Sequence, residues 1–232
     1  MTAFSIKIIS DVVCPFCYLG KKRLEKAISL YKTTIPGAAD DRFSISWLPF
    51  YLDPEAPKTG VPIKERLAQK FGADRVGQIN ANMRKAGVAE GIDFTFAGKA
   101  GNTRDAHRLV QLAKLKKAAA QAGKEDGGPD LEDAVVSSLF RSYFEEGGDV
   151  TSHDMLVAAA ARAGLDANEA RTWLAGDGGG DQVDAEVSAA YQRGVHGVPH
   201  FIINDKFEVG GAQDPQVFVG EFLRAKQEGS TQ

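Results

Sequence analysis

The sequence predicts an α/β fold whose central connection is replaced by a large all-helical insertion. Residues 1–54 contain an alternating apolar segment, a helical pattern and a second alternating segment, which is the order of a βαβ unit. Residues 55–193 show helical spacing of apolar residues and several helix caps. Alternating apolar segments return in residues 194–232 and precede a last helical pattern. The two ends of the chain are therefore predicted to form one α/β unit.

The only two cysteines stand where the first strand turns into the first helix. Residues 4–9 alternate as in a half-buried strand, and apolar residues recur at helical spacing after Asp11. Between them lies Cys14-Pro15-Phe16-Cys17. Proline suits the first helical position, because its missing N–H has no partner in the helix there. We therefore predict that Cys14 begins the helix and that Cys17 lies one turn further, within the separation that a disulfide requires.

This placement predicts redox chemistry. A thiol at a helix N-terminus in a Cys-x-x-Cys motif has its pKa lowered from about 8.5 to roughly 3.5–7.5. Cys14 is nearer the positive end of the helix dipole and is the predicted nucleophile, whereas Cys17 is predicted to resolve the mixed disulfide. Pro15 and Phe16 offer no side-chain donor to a thiolate, so the lowering should depend mainly on backbone amides.

Two other interpretations of the cysteines have less support. A structural disulfide across so short a loop would stabilise the fold by only about 2 kcal/mol, which is little for a chain that can build a sizeable core. Zinc binding would combine the cysteines with His196 and His200, which are spaced H-x3-H. Almost the whole chain separates the two halves of that ligand set, and we therefore expect no metal site.

Composition limits the partners and the compartment. The chain has 232 residues, with 28 Lys and Arg against 31 Asp and Glu, and a net charge of −3. This balance argues against nucleic acid or an anionic membrane as a partner. No apolar segment approaches the roughly 18 residues of a membrane span, and no secretory leader precedes the first strand. We therefore expect a cytoplasmic protein, in a reducing compartment where disulfides are usually transient or catalytic.

The segments after the first helix are predicted in order. Residues 43–48 alternate as a second strand, which should run parallel to the first because a βαβ crossover joins them. Residues 63–87 have helical spacing, with a buried face formed by Leu67, Phe71, Val76, Ile79 and Met83. Residues 91–101 form a loop with Phe94 and Phe96, which either pack the loop onto the body or cover an apolar site.

The rest of the insertion is predicted to be helices joined by polar turns. Helices begin after the caps Asn102-Thr103, Asp130, Ser152 and Asp166 or Asn168, and the last one ends at Arg193. His107, on the first turn of its helix, is either a structural group or a catalyst. Residues 123–129 form a glycine-rich turn. Residues 176–181 form a flexible connector, which is not a phosphate loop because no strand precedes it.

The final segment completes the α/β unit. Residues 199–203 and 207–209 form strands joined at Asn204-Asp205, which suits a two-residue hairpin turn. Pro215 begins the last helix. Strand, helix and strand, followed by a hairpin and a helix, is the order of a thioredoxin fold. We therefore predict a thioredoxin-like domain of residues 1–54 and 194–232 around a helical insertion domain of residues 55–193.

Three groups of residues resemble the DsbA-like thioredoxin-fold oxidoreductase family, and most closely its FrnE branch. They are Ser10-Asp11-x-x-Cys14-Pro15-x-Cys17-Tyr18-Leu19-Gly20, then Asn102-Thr103-x-x-Ala106-His107-Arg108, and then Gly197-Val198-Pro199 with Gly210-Gly211-Ala212-Gln213. The resemblance covers nearly the whole chain and implies a DsbA-like fold. It also implies that Val198-Pro199 is a loop with a cis proline facing the cysteines, whose Val198 backbone pairs with an extended substrate. Candidates for supporting this site are Asp11, Asn102, His107 and His200.

Two features distinguish the chain from similar proteins. It has no cysteine beyond Cys14 and Cys17, which excludes the internal relay of disulfides that further cysteines would allow. Kappa-class glutathione transferases and 2-hydroxychromene-2-carboxylate isomerases resemble it in architecture but have serine where Cys14 stands. The cysteine favours dithiol redox chemistry over glutathione activation.

The resemblance and the motif together predict a soluble thiol–disulfide oxidoreductase, as a disulfide reductase, isomerase or oxidase, that acts on disulfide-containing proteins or peptides. No tightly bound cofactor is expected, and glutathione or a thioredoxin system is a candidate reductant. One alternative is a glutathione-dependent transferase or isomerase of small aromatic substrates held near Phe94 and Phe96. Another is a peptide-binding chaperone that uses Phe16. The sequence does not decide between a monomer and a homodimer.

Overall fold

The computed structural model describes residues 1–121 and 130–229, and in these residues the predicted α/β fold with its helix-rich insertion is confirmed. The strands are β1 (Ala3–Ser10), β2 (Arg42–Pro49), β3 (Val61–Pro62), β4 (Lys99–Ala100), β5 (His200–Ile203) and β6 (Phe207–Gly210). The helices are α1 (Pro15–Thr34), α2 (Ile63–Phe71), α3 (Ala73–Glu90), α4 (Arg104–Gln121), α5 (Leu131–Phe144), α6 (His153–Arg162), α7 (Ala167–Ala175), α8 (Gly180–Gln192) and α9 (Pro215–Gly229). The turn predicted at residues 123–129 lies outside the described residues.

A four-stranded mixed sheet forms the centre of the α/β unit, with strand order β2-β1-β5-β6. As predicted, β1 runs parallel to β2, with Phe4 opposite Phe43. On its other side β1 pairs antiparallel with β5. β5 and β6 form the predicted hairpin, but Ile203 lies opposite Phe207, so that the loop has three residues, 204–206, and not the two predicted. Its turn residues Asn204 and Asp205 have φ angles of 50° and 57°, the left-handed region that tight hairpin turns require.

Helices α1 and α9 share one face of the sheet through an aromatic cluster. Phe4 of β1 stacks on Phe43 of β2, with 4.7 Å between the ring centroids. Both rings also meet Tyr31 of α1 and Phe222 of α9. Aromatic rings bury large apolar areas, and edge-to-face contacts add to their stabilisation. This packing holds α1 against the sheet, and it therefore fixes the direction in which the N-terminus of α1 points.

The helical insertion protects the free edge of β2. An edge strand has backbone groups without a strand partner, and proteins often cover such an edge. Here the Glu132 carboxylate accepts from the Trp47 amide at 2.5 Å, and Lys117 Nζ donates to the Ile45 carbonyl at 3.1 Å. The Trp47 indole donates to Asp133 Oδ1 at 3.1 Å. The insertion is therefore bonded to the sheet through α4 and α5.

Buried side chains from the α/β unit and the insertion form one continuous core, which includes Ile6 and Leu24 as well as Leu109 and Leu139. A smaller cluster packs α8 against the opposite face of the sheet, through Ile9, Phe50, Ala190, Val195 and Ile202. The division of the chain into two domains stays a prediction. In the described part of the chain, none of the helices has the length and apolar character needed to cross a bilayer.

The segment predicted to be helical over residues 63–87 contains two helices, α2 and α3. Gly72 separates them with a φ of 92°, a backbone conformation that other residues rarely adopt. The prediction of Phe71 as a buried residue is also wrong, because its side chain is 42% exposed. Val76 and Met83 are buried, as predicted. The break therefore turns the end of α2 away from the core.

Two other features of the insertion differ from expectation. The insertion is not all-helical, because β3 and β4 form a short antiparallel ribbon in which Val61 lies opposite Ala100. The glycine-rich connector at residues 176–181 is anchored rather than loose. The buried Arg108 guanidinium donates to the carbonyls of Gly176 at 2.6 Å and Gly178 at 2.9 Å, which holds this connector against α4.

Candidate active site

Cys14 is the N-cap of α1. Its backbone is extended, with φ −88° and ψ 111°, its side chain makes no capping bond, and Pro15 follows within the first turn as the sequence predicts. The Cys14 amide donates to the Asp11 carbonyl at 3.0 Å, which fixes the turn between β1 and α1. An N-cap side chain faces the free N–H groups of the first helical turn, where the helix dipole is positive. Cys14 therefore lies at the positive end of the α1 dipole.

The loop before β5 lies against the Cys14 sulfur. The Val198-Pro199 peptide is cis, and the Val198 carbonyl oxygen is 3.5 Å from Cys14 Sγ. The Pro199 carbonyl accepts from the Gly211 amide at 2.8 Å, which ties the loop to the end of β6. Among the described residues, no hydrogen-bond acceptor is in place for the Val198 amide. A backbone donor beside the sulfur therefore remains available to a ligand.

Cys17 is fully buried one turn further along α1, and both thiols are free. Burial raises the pKa of the Cys17 thiol well above its ordinary value, and the neighbouring Cys14 thiol raises it further. The Ser10 hydroxyl and the Asp11 backbone act in the opposite direction but do not compensate. Cys17 is therefore a protonated thiol. The Cys14 side chain is also buried, with 3% of its surface exposed, but unlike Cys17 it lines a cleft.

Asp11 and His107, two candidates for supporting the site, meet in the core. Asp11 is 1% exposed and His107 is 5% exposed. Asp11 Oδ2 accepts from the Leu52 amide at 2.9 Å, and Asp11 Oδ1 lies 3.4 Å from His107 Nε2. In the described residues neither Oδ1 nor Nε2 has a hydrogen-bond partner, so their contact is electrostatic and not a well-formed hydrogen bond. The pair links the turn before Cys14 to helix α4.

A cleft of about 400 Å³ opens beside Cys14. Its apolar wall comes mainly from α2, α3, α5 and the loop before β4, through Ile63, Leu67, Phe71, Met83, Phe96 and Phe144. Three large apolar side chains that line the cleft, Phe16, Leu52 and Phe71, are exposed to solvent. Exposed apolar patches of this kind often mark binding sites. The cleft is thus a candidate site for an apolar group next to the reactive sulfur.

Polar groups of the cleft are few. Asp53 and Arg66 form an ion pair there, and Lys70 lies nearby on α2. The buried Oδ1 atom of Asn80 has no hydrogen-bond partner within the described residues. Burial, with smaller contributions from two carboxylates, raises the pKa of Tyr143 well above its ordinary value. The Tyr143 phenol therefore stays protonated at neutral pH.

Asn102 and His200, two further candidates, have polar partners within their own neighbourhoods. The Asn102 side chain accepts from the Arg104 amide at 3.0 Å, which is a helix-capping contact. His200 Nε2 lies 3.0 Å from Glu208 Oε2 on the neighbouring strand β6. Phe94 is buried in an aromatic cluster, whereas Phe96 lines the cleft. No group of three or more His, Cys, Asp or Glu side chains in the described parts of the chain is arranged to hold a metal.

Apart from Phe96, which the sequence indicated as a candidate for covering an apolar site, the cleft wall was not indicated by any sequence motif. Leu52, Arg66, Phe71 and Tyr143 come from three separate segments, and each is an ordinary member of a local pattern. One local signal was present at Gly20, an isolated glycine within a helical pattern, where glycine costs about 1 kcal/mol relative to alanine.

Comparisons with known proteins agree with this architecture. The sequence model of the DSBA-like thioredoxin domain family matches residues 5–222. The structure of a probable DsbA oxidoreductase from Streptomyces coelicolor is 30% identical, with a TM-score of 0.82 over 97% of this chain and 91% of that chain. Two structures share only the fold. The first is a 2-hydroxychromene-2-carboxylate isomerase, with 14% identity and a TM-score of 0.66 over 98% of each chain. The second is the cytosolic disulfide reductase DsbM from Pseudomonas aeruginosa with GSH, with 15% identity and a TM-score of 0.56 over 97% of this chain and 99% of that chain.

Proposed function

The chain belongs to the DSBA-like thioredoxin domain family, and from this premise we propose that it is a thiol–disulfide oxidoreductase whose reacting groups are Cys14 and Cys17. The observation that carries the proposal is the 3.5 Å contact between Cys14 Sγ and the Val198 carbonyl, beside an open cleft. A sulfur at a helix N-terminus is activated for attack, and an unpaired backbone edge next to it binds an extended peptide.

The first exchange uses Cys14. Its thiolate attacks one sulfur of a substrate disulfide, so that a bond between Cys14 and that sulfur forms while the substrate S–S bond breaks. The departing substrate sulfur leaves as a thiolate and takes a proton from solvent. Because the pKa of Cys17 is raised, Cys17 stays protonated and does not compete for the substrate in this step.

The second exchange uses Cys17. Its sulfur attacks Cys14 Sγ, a Cys14–Cys17 disulfide forms, and the second substrate sulfur leaves. The proton that Cys17 loses is taken by this departing thiolate. Two electrons have then passed from the dithiol to the substrate, and the enzyme must be reduced again before the next turnover.

We propose glutathione as the reductant and the cytoplasm as the compartment. The fold neighbour DsbM was solved with GSH, and the free Val198 amide offers a peptide such as glutathione a backbone contact. The cytosolic glutathione pool has a redox potential of roughly −220 to −320 mV. If the reduction potential of the Cys14–Cys17 pair is higher than this, the pair stays reduced and acts as a reductase or isomerase. Equilibration of the pair in glutathione buffers measures this potential and decides the direction.

The proposal is tested by insulin reduction coupled to glutathione, glutathione reductase and NADPH. We expect Cys14→Ser to lower turnover by roughly two orders of magnitude or more. Cys17→Ser should also lose turnover, but it should accumulate a mixed disulfide with the substrate that dithiothreitol releases. Wild-type turnover by Cys14→Ser would refute the proposal.

The apolar cleft favours a second candidate function, a glutathione-dependent transferase or isomerase of a small aromatic molecule. Such chemistry needs one activated sulfur and no resolving thiol. It predicts that Cys17→Ser keeps its turnover of an aromatic substrate with glutathione, whereas dithiol exchange predicts that this variant is inactive.

A further inference from the structure

Gly20 brings the backbone of α1 into direct contact with the loop that carries Val198. A Cβ atom placed on Gly20 would lie 2.9 Å from Pro199 Cγ and 3.0 Å from the nearest ring atom of Phe201. Carbon atoms prefer a separation of about 3.5–4.0 Å. Gly20 itself is buried, and so is Pro199. No side chain therefore fits at this position unless the loop and the helix move apart.

The backbone conformation of Gly20 does not explain the glycine. The residue lies inside α1 and outside the positive-φ region that favours glycine. In a helix interior, glycine is destabilising relative to alanine. Gly77 in α3 and Gly220 in α9 are also helical, but a Cβ there would meet nothing within 4 Å. Of these three glycines, only Gly20 is in close contact with another part of the chain.

The contact stands next to the reacting atoms. Pro199 directly follows Val198, whose carbonyl lies 3.5 Å from Cys14 Sγ. Gly20 and Cys14 belong to the same helix, six residues or about 9 Å apart along its axis. The loop is therefore held against α1 at two points, the sulfur at the tip and the glycine further along.

We propose that Gly20 is a positioning residue that sets the distance between the Val198 backbone edge and the Cys14 sulfur. The inference rests on the proposed disulfide exchange. A methyl group at position 20 would push Pro199 outward by roughly 0.5–1 Å to reach a normal contact distance. A misplacement of about 1 Å in a reacting complex lowers rates by roughly 100-fold.

The test compares Gly20→Ala with Gly77→Ala and Gly220→Ala. Two rates are measured on each protein: kcat/KM for a disulfide-bonded peptide, and alkylation of Cys14 by iodoacetamide, which needs no peptide contact. We expect Gly20→Ala to lose roughly 10- to 100-fold in kcat/KM, with alkylation within about twofold of wild type. The two control variants should match wild type in both rates. An unchanged kcat/KM, or an equal loss of both rates, would overturn the assignment.

If Gly20→Ala does not fold, the double variant Gly20→Ala/Phe201→Leu makes space at the ring and leaves the 2.9 Å clash with Pro199. It should show the same selective loss, and wild-type kcat/KM in the double variant would overturn the assignment. A wild-type protein without disulfide turnover would refute the proposed function. An active wild type with an unaffected Gly20→Ala would refute only the role of Gly20.

Discussion

The Asp11 carboxylate and the His107 imidazole lie 3.4 Å apart in the core, although 96 positions separate them in the sequence. Asp11 belongs to the turn that presents Cys14, and His107 belongs to the helical insertion. Asp11 also accepts from the Leu52 amide, in the segment that leads from β2 to the insertion. One buried side chain therefore connects the reactive turn with the insertion and with the segment that precedes it.

Replacement of Asp11 tests this connection. Asp11→Ala leaves the Leu52 amide without its acceptor, and an unsatisfied buried donor costs about 1–3 kcal/mol. Asp11→Asn keeps an oxygen for that amide and should cost less. Urea denaturation of both variants measures the free energies of unfolding. Equal destabilisation by alanine and asparagine would show that the bond to Leu52 contributes little.

The cleft predicts a preference for apolar substrates. Phe71→Ala removes a ring that is 42% exposed and lines the cleft, so its effect on stability should stay within about 0.5 kcal/mol. Loss of its contact with a substrate should lower kcat/KM for peptides with an aromatic residue beside the disulfide by about fivefold to tenfold. The matched control is Leu115→Ala on α4, which is 50% exposed and does not line the cleft. Equal effects of the two variants on peptide turnover would argue against the cleft as the substrate site.

The two cysteines should differ in reactivity. Burial raises the pKa of Cys17 well above its ordinary value, and a protonated thiol is a poor nucleophile. At pH 7 we expect iodoacetamide to modify Cys14 in the folded, reduced protein while Cys17 remains unmodified. Peptide mapping by mass spectrometry distinguishes the two sites. In denaturant both should react, and modification of both at equal rates in the folded protein would contradict the difference in environment.

Local signals in the sequence predicted the helix starts well. Cys14 begins α1, and the caps Asp130, Ser152 and Asp166 each accept from the amide three residues further along. A cap and its amide lie within one turn, so the sequence contains the whole interaction. The parallel pairing of β1 with β2 and the β5–β6 hairpin were predictable for a similar reason, because βαβ units and short hairpins permit few arrangements.

The cleft could not be predicted in this way. Helical periodicity placed Phe71 and Met83 on one face, but it does not show whether another element fills the space opposite that face. The turn at Gly72 directs Phe71 toward the cleft, where its ring is partly exposed, while Met83 is buried. The contact of Asp11 with His107 is equally invisible in the sequence, since it depends on how the insertion packs against the α/β unit.

Stability in acid should depend on Asp41, which is fully buried. Burial alone would raise its pKa, but hydrogen bonds from Lys226 Nζ at 2.6 Å, the Thr2 amide at 2.6 Å and the Tyr31 hydroxyl at 2.9 Å outweigh burial and lower the pKa to about 2. The unfolded chain takes up this proton near the ordinary pKa of 3.8, before the folded protein does. The stabilisation is therefore complete above about pH 5 and is lost as the pH falls toward 2.

Asp41→Asn should lower the free energy of unfolding at pH 7. The loss of the ionised carboxylate alone should lower it by roughly 2 kcal/mol. The difference in the free energy of unfolding between wild type and variant, called the gap here, should narrow as the pH falls from about 5 to 2, because the wild-type carboxyl then becomes protonated and loses its charge. Denaturant unfolding at a series of pH values measures this gap. The control is Asp205→Asn, whose side chain is 64% exposed in a surface ion pair and should change stability little at any pH. A gap for Asp41→Asn that stays constant down to pH 2 would show that its cost comes from altered packing and not from the buried charge.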